Sequence, residues 1–189
     1  MSTLITFLGK GQQGGYQKTN YRFPDGTQKE TSFFGLAAAE VSQASAIRIL
    51  GTSGSMWDVL TLEYGNTEGH EAEWDQLAQA VAGNGVTQAQ LDAIEKLLNH
   101  QEGPVYTLRI IPYGQNDAEQ VDILRAMIDG LEHRQGITLD ITHSFRHLPM
   151  LGLLAAFYLR AATYARIECI YYGAKVCTHI GVTPVLRLE

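Results

Sequence analysis

Short apolar runs alternate along this chain with segments whose apolar residues recur at helical spacing, and this alternation constrains the fold more than any other feature. A short apolar run bounded by glycine or polar residues indicates a buried strand, whereas apolar residues three to four positions apart indicate an amphipathic helix. The predicted strands span residues 4–8, 46–50, 105–111, 137–141 and 167–172, and 182–188 could add an edge strand. The predicted helices span 36–42, 55–64, 117–133 and 143–165.

Two further segments depart from this alternation. Residues 20–34 predict a β-hairpin, because Tyr21 and Phe23 alternate with polar residues before a Pro-Asp-Gly turn. Residues 68–100 are richer in Ala, Gln and Glu and predict two helices, separated by a Gly-Asn-Gly sequence and packed as an insertion beside the sheet. Strands that alternate with helices favour right-handed crossovers and a parallel sheet. We therefore predict a Rossmann-like α/β fold, a mostly parallel sheet flanked by helices with a small helical insertion, in one domain over residues 1–189.

Composition limits the classes of function. The 189 residues carry 14 Lys and Arg against 20 Asp and Glu, and this net charge of −6 excludes a basic protein that coats DNA. The 45% of hydrophobic residues is too high for a disordered chain. The start of the chain lacks the features of a signal peptide, and the longest apolar run, 149–165, is interrupted by Arg160 and short for a membrane span. With two cysteines and no disulfide framework, we expect a cytoplasmic protein that does not associate with membranes. A small phosphate-containing ligand remains compatible with the charge.

The first candidate loop follows the first predicted strand. It begins with Gly9, Lys10 and Gly11 and continues through Gln-Gln-Gly-Gly to Tyr16. Glycines let backbone N–H groups approach a ligand closely, and in parallel sheets ligands bind beyond the carboxyl ends of the strands. The loop is not a dinucleotide fingerprint, because a hairpin follows where a helix should begin. A surface loop without a ligand is the alternative interpretation.

The second candidate loop, Gly51-Thr52-Ser53-Gly54-Ser55-Met56-Trp57-Asp58, precedes a predicted helix. The Ser and Asp at its end resemble a capping box, and Thr52, Ser53 and the first N–H groups of the helix would form an anion cradle. The loop lacks the Gly-Lys-Ser/Thr ending of a P-loop, so we do not predict magnesium-dependent nucleotide hydrolysis. A simple helix N-cap is the alternative.

The third candidate loop runs from Asp140 to His147, between a strand and the long apolar helix. Thr142 and Ser144 are expected to cap that helix, and Arg146 adds a planar cation suited to phosphate. His143 and His147 share a helix face and, with Asp140, could be metal ligands. No fourth ligand or known spacing accompanies them, so we expect no metal and no cofactor. The alternative is a capped helix start with hydrogen-bonded histidines. Residue chemistry alone thus predicts an anion-binding α/β domain.

The sequence Asp140-Ile141-Thr142-His143-Ser144-Phe145-Arg146 resembles the D-x-T-H-G signature of the CRISPR-associated Rossmann-fold (CARF) proteins. The second loop, 51–58, is similar to another patch of that family. Further matches occur in the same order along the chain, at 111–114 and 171–174. The segment 7–9, Tyr16 and the segment 20–23 are similar as well, so the resemblance covers nearly the whole chain. Ser144 departs from the signature, which has Gly there, and this change affects how closely a phosphate can approach.

This resemblance implies a homodimer that senses cyclic oligoadenylate, most readily cyclic tetra-adenylate, a messenger made by type III CRISPR complexes during antiviral defence. The ring would lie across the two-fold axis, as suits a symmetric ligand. The apolar helix at 148–165 would then serve the dimer. The residues that the resemblance assigns to the ligand are Gly9, Lys10, Gly11, Thr52, Ser53, Ser55, Thr142, His143, Ser144, Arg146 and Lys175.

Some members of the family also cleave the ring, so a ring nuclease is the alternative function. Cleavage by an aligned ribose 2′-OH needs no metal, and Lys10, Ser53, His143 and Arg146 are the candidate catalytic residues. Family members usually continue into a C-terminal effector domain, which we expect as a partner outside this chain. A DNA-binding transcriptional sensor is a third class, but it would need a basic helix-turn-helix that the sequence lacks.

Overall fold

A central mixed sheet with helices on both faces forms the structure. The computed structural model describes residues 2–10, 17–99, 103–143 and 147–188. The strands are β1 (Ser2–Leu8), β2 (Thr19–Arg22), β3 (Gln28–Thr31), β4 (Ala46–Gly51), β5 (Val105–Ile110), β6 (Gly136–Asp140), β7 (Arg166–Gly173) and β8 (Val182–Leu188). The helices are α1 (Phe34–Val41), α2 (Trp57–Tyr64), α3 (Glu71–Ala82), α4 (Gln88–Leu98), α5 (Asp117–Ile128) and α6 (Leu148–Thr163). The predicted Rossmann-like α/β class is confirmed, and α3 and α4 are the two helices expected in 68–100.

The strand order across the eight-stranded sheet is β3-β2-β8-β7-β6-β1-β4-β5. The five strands from β7 to β5 are parallel, and β1 lies inside this group, with Leu4 in register with Ile47 of β4 and Thr138 of β6. A strand covered on both faces is mostly apolar, which explains the apolar residues of 4–8 on either side of Thr6. The mostly parallel sheet is confirmed.

Two hydrophobic clusters lie on opposite faces of the sheet. One joins α1, α2, α3 and α4 to the sheet around Phe34, Trp57 and Leu91, which are fully buried. The other joins α5 and α6 around Ile123 and Leu159. Burial of such side chains is the main force that holds the layers together, at about 25 cal/mol for each Å² of apolar surface.

The structure corrects the expected place of the last strand. β8 lies inside the sheet, antiparallel to β7 and parallel to β2, rather than at an edge. The predicted hairpin is confirmed as β2 and β3, and its aromatic residues explain the order: Phe23 contacts Phe34 and Tyr171 at ring-centroid distances of 5.7 and 5.6 Å. Burying that ring brings β2 alongside β8, and β3 becomes the edge instead.

At the other edge, polar side chains of α4 bond to the backbone of β5. Asn99 accepts from the Tyr106 N–H at 2.7 Å and donates to the carbonyl of the same residue at 2.9 Å. Glu95 accepts from the Leu108 N–H at 2.6 Å, and Gln88 donates to the Leu108 carbonyl at 2.9 Å. An open strand edge is a template for pairing with another chain. Helix α4 therefore closes this edge, which we call the sealed edge.

Helix α6 differs from α4, because one of its sides packs against the core and the other side is exposed. Leu151, Ala155 and Leu159 face the core. The side chains that we call the outer face of α6 are between 44% and 70% exposed, and they are Met150, Leu153, Leu154, Phe157 and Tyr158. Within the described ranges, none of the helices combines the length and the hydropathy that a membrane crossing requires.

Candidate functional site

The candidate site lies at the carboxyl ends of the parallel strands, where the chain changes the side on which it adds strands. β4 and β5 lie on one side of β1, whereas β6 and β7 lie on the other. Ligand crevices in α/β sheets form at such a switch point, beyond the carboxyl ends of the strands. The segments that follow β1, β4, β6 and β7 at this edge carry Lys10, Ser53, Thr142 and Lys175.

Asp140 links the two strands at the switch point. Its Oδ2 accepts a hydrogen bond from the Thr6 hydroxyl of β1 at 2.6 Å, and its Oδ1 accepts from the Thr142 N–H at 2.8 Å. The second bond is an Asx turn, which fixes the backbone two residues further along. Asp140 is only 1% exposed, so its carboxylate shapes the loop after β6 rather than standing in solvent.

Burial shifts the pKa values of two side chains at this edge, Asp140 at the end of β6 and His143 in the loop that follows. Desolvation raises the pKa of Asp140 to about 6, although the bonds from Thr6 and Thr142 oppose this rise. The pKa of His143 is lowered to about 4, first by desolvation and second by the charge of Lys175. The imidazole is therefore neutral at pH 7, with one ring nitrogen able to donate and the other able to accept.

Thr142 connects the loop after β6 to the end of β7. Its hydroxyl accepts a hydrogen bond from the Gly173 N–H at 2.8 Å. A Cβ on Gly173 would lie 2.7 Å from Cε1 of Tyr21 and 3.0 Å from Cγ2 of Thr142, so the hairpin and the loop can meet only at a glycine. This junction places Lys175, two positions later, close enough to His143 to affect its pKa.

The start of the long helix was predicted wrongly. Helix α6 begins at Leu148 rather than at His143, with a proline in its first turn and no side-chain cap. Thr142 is not a cap either, since its hydroxyl is used by β7. A proline is favoured in the first turn of a helix, because its missing N–H is not needed there. Ser144 and Arg146 lie outside the described residues.

The capping box predicted in the second loop is also wrong. Helix α2 begins at Trp57, and its N-cap residue makes no side-chain cap bond. The Ser55 hydroxyl instead donates to the Leu8 carbonyl at 2.6 Å and accepts from the Thr52 N–H at 2.9 Å. The Leu8 carbonyl ends the central strand and has to be satisfied once buried. Ser55 is 1% exposed, so the structure gives it a structural role, and its ligand contact stays a prediction.

The first loop joins the second loop and the helical insertion. The Gly9 carbonyl accepts from the Met56 N–H at 3.2 Å. The Lys10 ammonium donates to Oδ1 of Asn84 at 3.0 Å, and Asn84 lies in the turn between α3 and α4. Gly11 lies outside the described residues. Gly9, Lys10, Thr52 and Ser53 lie on the β1–β4 side of the candidate site. Thr142, His143 and Lys175 lie on its β6–β7 side.

Sequence reasoning missed three contributors: Thr6, Asn84 and the structural role of Asp140, which was considered only as a metal ligand. The signals existed but were weak. Thr6 is the polar residue inside an apolar strand, and Asn84 is the non-glycine residue in a glycine-flanked turn. In the part of the chain that the structure describes, no three His, Cys, Asp or Glu side chains are grouped so that they could hold a metal ion. Hydroxyls, backbone N–H groups and lysines suit an anionic ligand.

Comparison with known proteins identifies the family of the chain. The family model of the CARF domain of the CRISPR system endoribonuclease Csx1 matches residues 3–175. A CRISPR-associated protein of Methanocaldococcus jannaschii, MJ1674, is 25% identical over 214 aligned residues, which cover 100% of this chain and 34% of that protein. The chain thus spans about a third of the length of this relative. Because the family model covers almost the entire sequence, the chain belongs to the Csx1 CARF-domain family of CRISPR-associated proteins.

Proposed function

We propose that this domain is a cytoplasmic sensor of type III CRISPR antiviral defence, and that a homodimer of it binds cyclic oligoadenylate, most readily cyclic tetra-adenylate. The observation that carries the proposal is the edge where Lys10, Ser53, Thr142 and Lys175 follow the ends of parallel strands at a switch point. Membership of the CARF family supports the same ligand. Output would come from a further domain, in keeping with the greater length of the M. jannaschii relative.

Charge distribution supports a small cyclic ligand over long nucleic acid. The chain carries a net charge of −6, whereas a protein that binds long DNA neutralises many phosphates with a basic surface. At the site, Lys10 and Lys175 supply positive charge, and His143 adds none because its pKa is lowered to about 4. Both oxygens of Asp140 accept hydrogen bonds from Thr6 and Thr142. A few placed cations and backbone donors suit a ring with few phosphates.

The outer face of α6 supports the homodimer. Its five apolar side chains lie in one helix, and contiguous exposed apolar patches mark interaction sites in soluble proteins. Helix α6 begins at the same carboxyl edge as the site, directly after the loop that carries Thr142 and His143. Two copies packed through α6 would therefore bring two copies of that loop toward one axis, where a symmetric ring can contact both.

Calorimetric titration of the purified protein with cyclic tetra-adenylate and cyclic hexa-adenylate tests the proposal. We expect saturable binding without metal at one ring per two chains, and weaker binding of linear tetra-adenylate. Arg146→Ala and Ser53→Ala should each weaken binding. Arg125→Ala is the control for Arg146→Ala, because it removes the same charge from an exposed position on α5. Failure of the wild type to bind either ring would refute the function, and unchanged affinity in both site variants would refute the location of the site.

Ring cleavage is a second candidate function, favoured by the neutral His143 beside Lys175. A neutral imidazole can accept the proton of a ribose 2′-OH as that oxygen attacks the adjacent phosphorus. The P–O5′ bond then breaks, and the leaving 5′ oxygen takes a proton from the imidazolium, directly or through water, which gives a 2′,3′-cyclic phosphate and a 5′-OH. Cations such as Lys10 or Arg146 would stabilise the phosphate charge. Ser53 would orient the ring. Labelled cyclic tetra-adenylate incubated with the protein and a chelator should yield linear products, and His143→Gln should bind without cleaving. If the ring stayed intact for hours with wild-type protein, cleavage would be refuted and binding would remain as the proposed function.

A further inference from the structure

The helical insertion contacts the ligand loops through the turn between α3 and α4. Asn84 occupies this turn with φ of 50°, a left-handed conformation that asparagine adopts more readily than most residues. The Val86 N–H, two residues later, donates to the Ser53 carbonyl at 3.2 Å. At the other end of the insertion's first helix, Trp74 Nε1 donates to the Asp58 carbonyl at 3.0 Å. The insertion is therefore bonded both to the loop that follows β4 and to the first turn of α2.

Gly54 allows the close approach of Asn84. A Cβ at position 54 would lie 2.1 Å from Oδ1 of Asn84, a distance that no side chain tolerates without moving. The amide oxygen of Asn84 thus lies directly over the second ligand loop. The same oxygen accepts the hydrogen bond from the Lys10 ammonium at 3.0 Å. One side chain of the insertion therefore contacts both loops on the β1–β4 side of the site.

The acceptor that holds Lys10 is neutral. Among the described residues, no carboxylate forms an ion pair with Lys10, so its positive charge is not cancelled before a ligand arrives. A free lysine side chain has many rotamers, and restricting them in advance lowers the entropic cost of binding. An amide acceptor restricts the side chain while leaving the full charge to attract a phosphate.

We infer that Asn84 is a positioning residue of the ligand site, and that the helical insertion thereby forms part of that site. Asn84 acts through Lys10: it holds the ammonium above the loop that contains Ser53, ready for an anionic ligand. This inference rests on the proposed function, because Lys10 is assigned there to the cyclic oligoadenylate.

A double-mutant cycle with cyclic tetra-adenylate tests the inference. Asn84→Gly keeps the left-handed backbone and removes the acceptor, so we expect affinity to fall about twofold to fivefold, as for an exposed polar pair. In a Lys10→Ala background the same change should have no further effect, because residues that act through one another are not additive. Asn66→Gly, another exposed asparagine outside the site, is the matched control and should leave affinity unchanged.

Asn84→Asp provides a second, independent variant. Its carboxylate would still hold Lys10 but would cancel the charge and repel phosphate, so affinity should fall further than in Asn84→Gly, and most at low salt. Wild-type protein that binds neither ring refutes the proposed function and this inference together. Wild-type binding with unchanged affinity in Asn84→Gly, an effect that persists without Lys10, or wild-type affinity in Asn84→Asp overturns the inference alone.

Discussion

The sealed edge, where α4 packs against β5, and the outer face of α6 lie on two sides of the molecule that differ in how completely their own chain covers them. Helix α4 buries its apolar side chains, such as Leu91 and Ile94, and uses Glu95 and Asn99 to bond the backbone of β5. Helix α6 leaves side chains such as Phe157, at 59% exposure, in contact with solvent. The α4 side is complete within one chain, whereas the α6 side has apolar surface that a second surface would cover.

The same contrast extends to the site next to α6. At the carboxyl edge, burial raises the pKa of Asp140 to about 6 and lowers the pKa of His143 to about 4. The ionised carboxylate of Asp140 therefore lowers the stability of the folded chain at pH 7, and displaced pKa values are typical of functional sites. The polar side chains of the sealed edge satisfy the backbone of their own chain instead. One side of the molecule favours stability, and the other retains features suited to a partner and a ligand.

The largest expected effect is on the α6 side. Phe157→Glu places a charge within the outer face and should raise the dimer dissociation constant by about thirtyfold or more, as for an interface hot spot. Light scattering over a range of concentrations measures the oligomeric state. The position is exposed in the single chain, so thermal unfolding of the monomer should change little. Leu62→Glu, a similar change at a 55% exposed position of α2, is the control. If the dimer dissociated in Leu62→Glu and not in Phe157→Glu, the dimer interface would lie on the α2 side rather than on α6.

The next expected effect is on the pH dependence of stability, which Asp140 and His143 change in opposite directions. The folded pKa of Asp140, about 6, lies above its ordinary 3.8, so the folded state holds the proton more tightly and Asp140 lowers stability as pH rises from 4 to 6. The folded pKa of His143, about 4, lies below its ordinary 6.5, so His143 raises stability over nearly the same window. Asp140→Asn should therefore gain stability relative to wild type as pH rises, by at most about 3 kcal/mol. His143→Gln should lose stability relative to wild type over that window.

Chemical denaturation of each variant at pH 4, 5, 6 and 7 measures these differences. Opposite slopes relative to wild type are the expected result. Parallel slopes would mean that burial does not act on the two groups in opposite directions, and the site would then resemble the sealed edge.

The smallest expected effect is at the sealed edge. Glu95→Ala removes the acceptor of the Leu108 N–H and should destabilise the fold by about 1–3 kcal/mol, the cost of a buried donor left without a partner. Glu95→Gln keeps an acceptor oxygen and is the control, so it should lose less. Urea denaturation gives the free energies, and light scattering shows whether the opened edge associates. Equal stability of all three proteins would mean that the hydrogen bond from the Leu108 N–H to Glu95 does not stabilise the sealed edge.

Local patterns predicted most of the fold. The alternation of apolar runs with helical segments determined the strands and the α/β class, because a strand buried on both faces cannot be polar. The hairpin and the helices α3 and α4 followed from turn residues and helical spacing. The start of α6 was wrong by five residues, from His143 to Leu148, because polar residues that resemble caps are bonded to β7 and to the backbone instead.

The candidate site was only partly predictable. Its loops were found because ligands bind beyond the carboxyl ends of parallel strands, and the resemblance to a known family singled out the same residues. The partner of Lys10 was not found, since Asn84 lies 74 positions away in a segment interpreted as an accessory insertion. The structural use of Ser55 was missed for a similar reason: its acceptor, the Leu8 carbonyl, is 47 positions away.

The sequence by itself determined which segments become strands and helices, and which loops carry polar chemistry, because these depend on periodicity over neighbouring residues. The tertiary structure alone decided that β8 lies inside the sheet, that Thr6 holds Asp140, and that α4 is closed against β5 while α6 is left exposed. These outcomes depend on which distant groups satisfy a buried polar atom or cover an apolar side chain. Such pairings are set by packing in three dimensions and leave little trace in local sequence.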